Sequence, residues 1–105
     1  RDNLVVIPLG EVRCFLADNK YVSVFDGTQT VLIEESLKSL EQEFGDQFLR
    51  IHRNALVADN YMVGLEKNND GHCVVVIRDI DERLEISRRH LPQVRKKIKT
   101  LATYR

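Results

Sequence analysis

Two short segments concentrate side chains that can donate hydrogen bonds to a nucleic acid: Arg50-Ile51-His52-Arg53-Asn54 and Ser87-Arg88-Arg89-His90. Arg can fork two hydrogen bonds to O6 and N7 of guanine, and Asn can do likewise to adenine. A loop that presents both is suited to reading base edges in a major groove. Arginines also occur in ordinary solvated loops, so these segments take their meaning from what surrounds them.

Other chemistry is poorly served by the chain. A nucleophilic Cys needs a base within hydrogen-bond reach, and His72-Cys73 is the sole adjacent pair. On a strand, neighbouring side chains point to opposite faces, which predicts a buried Cys73 and a surface His72. The three histidines, His52, His72 and His90, share no metal-ligand spacing with a thiol or carboxylate, and there is no glycine-rich phosphate loop. Cys14 and Cys73 sit far apart inside apolar runs, as buried free thiols do. We therefore expect no catalytic residue, no metal and no cofactor.

Charge is distributed unevenly. Sixteen Lys and Arg balance sixteen Asp and Glu, for a formal net charge of zero. Residues 1–52 nevertheless hold five basic and nine acidic residues (−4), and residues 53–105 hold eleven basic and seven acidic (+4). From Ser87 onward there are seven cations (Arg88, Arg89, Arg95, Lys96, Lys97, Lys99, Arg105) and no acid. Such a block suits an anionic surface.

The elements that must position these residues are mostly strands. The 105 residues, 43% apolar and 30% charged, make one globular domain with a real core. Leu4–Ile7 and Val12–Leu16 read as strands parted by Pro8 and Gly10. Tyr21–Phe25 and Thr30–Ile33 flank Asp26-Gly27 as a hairpin. Phe48–Ile51, Ala55–Val57, Tyr61–Leu65, His72–Ile77 and Leu84–Ser87 continue the pattern, with turns at Asp59-Asn60, Asn68–Gly71 and Asp79–Arg83. Two helices interrupt it. One spans about 37–44, with Ser36 as N-cap and Gly45 as stop, and its acids (Glu34, Glu35, Glu41, Glu43, Asp46) suit a surface turned away from phosphates. The other spans about 91–101, with Leu91, Val94, Ile98 and Leu101 as its apolar stripe. Parallel sheets need crossover helices, so a mainly β fold of small antiparallel sheets is expected.

No apolar run approaches the roughly 18 residues of a membrane span, and no signal peptide opens the chain, so a cytoplasmic protein with no membrane partner is expected. The absence of an initial Met suggests a fragment, with Arg1–Asn3 as the remnant of a linker.

At this point the segment Phe48-Leu49-Arg50-Ile51-His52-Arg53-Asn54-Ala55-Leu56-Val57 closely resembles the signature of LytTR DNA-binding domains. Phe15–Val22, Glu34–Glu41 and Ile86–His90 fall in the expected order, so the likeness spans nearly the whole chain as a single domain, 1–105. Within the family it is most similar to bacterial two-component response regulators of the alginate-biosynthesis type, whose receiver domain precedes the DNA-binding part and is absent here. The resemblance implies small antiparallel sheets lying along double-stranded DNA, with loops in successive major grooves and the minor groove between. By position, the base-reading residues are Lys20, Arg53 and Arg89. Around them Asn19, Arg50, His52, Asn54, Arg88 and His90 are placed to hold phosphates or support the loops. Lys20 and Arg53 stand where other members carry different polar residues. The family further implies promoter direct repeats, a homodimer in the phosphorylated full-length protein and a sensor histidine kinase acting on the receiver. The competing class is a β-rich protein-interaction module whose basic last helix docks on an acidic partner.

Overall fold

The computed structural model describes residues 4–103. Eight strands and two helices run in the order β1 (Cys14–Asp18), β2 (Tyr21–Phe25), β3 (Thr30–Ile33), α1 (Leu37–Phe44), β4 (Phe48–His52), β5 (Ala55–Ala58), β6 (Met62–Lys67), β7 (Cys73–Ile77), β8 (Ile80–Glu85) and α2 (Leu91–Thr103). Five strands form one antiparallel sheet, ordered β3-β2-β1-β5-β4, and three form a second, β6-β7-β8. The mainly β architecture with one short and one terminal helix is therefore as the sequence predicts.

The larger sheet is covered on both faces, which explains why β5 is buried at every residue. On one face α1 contributes Leu37 and Leu40 to a core with Phe15, Val22, Val24, Phe48 and Leu56. On the other, Cys14, Ile51 and Val57 meet Met62, Val75 and Ile77 of the second sheet and Val94 of α2. Removal from water pushes the Cys14 thiol up to about 12, so it behaves as a small apolar side chain. Cys73 is half-buried rather than buried.

Local signals explain the helix ends. Ser36 Oγ accepts a hydrogen bond from the Ser39 N–H at 3.0 Å, which satisfies one of the orphan donors of α1. Gly45 ends that helix in an ordinary right-handed conformation, so the need for glycine is one of space: a Cβ there would stand 2.6 Å from the Glu41 carbonyl oxygen.

Several boundaries differ from the sequence reading. Leu4–Ile7 is not a strand; Leu4 is 96% exposed, and a 3₁₀ turn at Leu9–Glu11 follows. An apolar run becomes a strand only with a partner, and β1 is already flanked by β2 and β5. The first strand starts at Cys14 rather than Val12. The hairpin at Asp26-Gly27 has a four-residue loop, because Phe25 pairs with Thr30. Asp26 caps that loop, accepting from the Thr28 and Gln29 N–H groups, bonds that hold its carboxyl at about 2. The segment 79–83, read as a turn, is mostly strand: β8 starts at Ile80 and ends at Glu85, so Ser87 lies beyond it. As an edge strand, β8 tolerates the exposed run Asp81-Glu82-Arg83, which hides its identity in the sequence. The linker assigned to Arg1–Asn3, and Arg105, lie outside the described residues.

Arg13 joins the two sheets. Its side chain is 10% exposed and pairs with Asp79 in the β7–β8 turn, donates to the Glu11 carbonyl and stacks 4.1 Å from the Tyr61 ring centroid. Its guanidinium also lies under Gly27, where a Cβ would come within 2.9 Å of Cζ. With φ at +92°, any other residue there would be strained and would also displace the guanidinium.

Candidate nucleic-acid interface

Three connections gather at one end of the molecule. The first is the two-residue turn Asn19-Lys20, closed by pairing of Asp18 with Tyr21. Asn19 has φ 54, a left-handed conformation that Asn tolerates better than most residues, so it shapes the turn while Lys20 projects to solvent.

The second is Arg53-Asn54, between paired His52 and Ala55. Arg50 holds its base: Nε donates to the His52 carbonyl and Nη2 to the Arg53 carbonyl, each at 2.9 Å, while Nη1 reaches Glu41 Oε1 at 2.6 Å. Three donors are thereby spent on the protein, and Arg50 supports the loop from beneath. The Asn54 N–H donates to His52 Nδ1 at 3.2 Å, which assigns the His52 proton to Nε2 in the neutral ring. A bulge between Arg50 and His52 breaks strict alternation, so Arg50 reaches α1 while His52 borders clefts leading to Glu85 and Ser87.

The third connection, Ser87–His90, leads into α2. The Ser87 N–H donates to the Ile51 carbonyl at 3.0 Å, and its carbonyl accepts from His90 and Leu91. Ser87 Oγ lies 2.6 Å from His90 Nδ1. A further bond, from the Ala17 N–H to the Asn54 carbonyl at 2.9 Å, ties the second loop to the strand that carries the first. These links set the three loops side by side, and His52, Arg53, Ser87, Arg89 and His90 line one cleft.

Lys20, Arg53, Arg88 and Arg89 are exposed and form no ion pair among the described residues. Lys97 differs: it pairs with the half-buried Asp59 at 3.2 Å, so this helix cation is spent on packing α2. Glu41 was not expected in the site, where its carboxylate holds Arg50. The sequence marks it only as a helix acid, and the bond to Arg50 gives it its role, whereas Ser87 stands in one of the two segments the sequence singles out.

Burial, helped by the positive charges of Arg89 and Arg50, pushes the His90 imidazole below its ordinary value against the weaker pull of Glu41. His90 is thus neutral at physiological pH and organises the loop through Ser87. The unfolded chain binds its proton more readily, so this contribution is complete above about pH 6.5 and fades as acid is added. The unfolding midpoint in urea should fall more between pH 7.5 and pH 5.5 in the wild type than in His90→Gln. Equal falls would remove His90 from the pH dependence.

Residues 2–99 match the LytTr DNA-binding domain family, and the chain belongs to it. It is 44% identical over 97 residues to the positive alginate biosynthesis regulatory protein of Pseudomonas aeruginosa, covering 91% of this chain and 39% of that one. The chain thus spans about two fifths of that relative's length. Its fold is similar to the LytTr DNA-binding domain of a protein assigned as a methyl-accepting/DNA response regulator from Bacillus cereus. That match has a TM-score of 0.79 at 22% identity over 92% of this chain and 89% of that one.

Proposed function

We propose that the chain is the sequence-specific DNA-binding output domain of a two-component transcriptional regulator, with Lys20, Arg53 and Arg89 reading bases from three loops. The observation that carries this reading is the placement of those three cations, exposed and unpaired, on loops tied together through the strands that carry them. Asn54, Arg88 and the His52 Nε2–H are left as donors to phosphates or bases, whereas Arg50, Asn19 and His90 hold loop shape.

Base contacts would set register and sequence choice, and phosphate contacts would supply most of the affinity and its salt dependence. The role assigns no catalytic step and needs no cofactor. The likeness to a positive regulatory protein supports transcription control in the bacterial cytoplasm. Pairing on promoter direct repeats, dimerisation on receiver phosphorylation and a sensor kinase complete the proposal for the full-length protein.

The test is selection of duplexes from a random pool, followed by titration against scrambled duplex. Preferential binding at physiological salt supports the role. Equal binding would favour the alternative, in which the basic face of α2 docks on an acidic protein. Within the complex, Arg88→Ala should lower the slope of log K against log salt by about one on selected and scrambled duplex alike. An unchanged slope would reassign Arg88 to loop structure.

A further inference from the structure

A second basic cleft opens between the β6–β7 hairpin, the end of β8 and the first turns of α2. Lys67, His72, Arg88 and Arg95 line it, with His52 at one end. Glu85 is the acid in its wall, and its Oε2 lies 2.9 Å from His72 Nδ1. Lys67, Arg88 and Arg95 form no ion pair among the described residues. Three cations against the one Glu85 carboxylate leave the concavity with a positive balance that raises the local potential for an anion, even in a chain of zero net charge.

The cleft is continuous with the loops. His52 borders both this cleft and the one lined by Arg53 and Arg89, and Arg88 also lines a shallow groove along α2 with Arg95 and Lys96. A strand whose bases are read by Arg53 and Arg89 continues beyond them, and its next phosphates need a cationic path. We propose that Lys67, Arg88 and Arg95 seat a backbone phosphate flanking the base pairs read by the loops, which extends the DNA footprint onto the hairpin of the second sheet. Lys67 enters the interface from a strand with no part in base reading, and Arg95 from the solvent face of α2. The inference rests on the DNA-binding reading, but it concerns different residues and a different observable.

The experiment compares the wild-type chain with Lys67→Ala, Arg95→Gln and Arg53→Ala on a selected duplex and a scrambled one, across a salt series. Far-ultraviolet circular dichroism checks that each variant is folded. Lys67→Ala and Arg95→Gln are each expected to lower the salt slope by about one, with a several-fold loss on both duplexes and an unchanged preference between them. Arg53→Ala is expected to lose preference instead. If the two cleft variants keep wild-type slope and affinity while Arg53→Ala loses preference, the cleft is off the DNA and the inference fails alone. If the wild type shows no preference for any selected duplex, the reading beneath it fails and takes the inference with it. Calorimetry with inorganic phosphate separates the remaining source: saturable binding lost in Lys67→Ala, with DNA affinity unmoved, would make the cleft a small-anion site and overturn the proposal.

Discussion

Arg53→Ala should weaken binding to a selected duplex by about 5- to 150-fold, or about 1–3 kcal/mol, and leave binding to scrambled duplex almost unchanged. Arg89→Ala should behave likewise at a different position of the recognised sequence. The magnitude is that of one bidentate Arg–guanine pair. It should appear as lost specificity because both side chains are exposed and neither forms an ion pair with the protein, so their removal disturbs no packing. Fluorescence anisotropy on both duplexes measures the effect. An equal loss on the two would reclassify the residue as a phosphate contact, and an unchanged affinity would remove it from the interface. Arg50→Ala is the instructive contrast: it frees two loop carbonyls and Glu41, so the Arg53-Asn54 turn should loosen and preference should fall without loss of a direct contact.

The second large effect is on stability. Arg13→Ala should lower the unfolding free energy by about 2–4 kcal/mol, read from urea titration followed by circular dichroism. Asp79 loses its partner, Tyr61 loses a stacked cation, and a space opens under Gly27. The value falls short of that for a wholly buried ion pair because the Asp79 side chain remains 48% exposed and can be hydrated. Arg13→Lys should recover only part of the loss, since an ammonium cannot both stack on a ring and reach two acceptors in plane. A change below about 0.5 kcal/mol in Arg13→Ala, the range of ordinary surface substitutions, would show that the two sheets hold together without this residue.

Much of the fold is legible in the sequence for identifiable reasons. The helix at 37–44 carries both its cap and its apolar spacing within ten residues, and β5 is apolar throughout because both faces of its sheet are covered. What local pattern lacks is knowledge of partners. Leu4–Ile7 has the composition of a strand and no neighbour to pair with, whereas Ile80–Glu85 has a neighbour and not the composition. Arg13 lies in a stretch that reads as plain strand, and its partner Asp79 is 66 residues away.

The candidate site divides similarly. Its arginine-rich junctions stand out by residue type, and the family likeness orders them along the chain. The distinction between a reader and a support arises only in the folded chain: Arg50 and Arg53 are alike in sequence, yet one donates to two carbonyls and a carboxylate while the other faces solvent. Zero net charge, which taken alone argues against nucleic acid, conceals this arrangement, because Glu41 and Asp59 each neutralise a cation that serves structure and leave Lys20, Arg53, Arg88 and Arg89 unpaired.

The most direct measurement is an amide chemical-shift map of the domain titrated with a selected duplex. The largest perturbations are expected at Asn19-Lys20, Arg53-Asn54 and Arg88–His90 together, with residues 37–44 of α1 unmoved. Perturbations confined to α1 or to the solvent face of α2, with the three loops silent, would contradict the account.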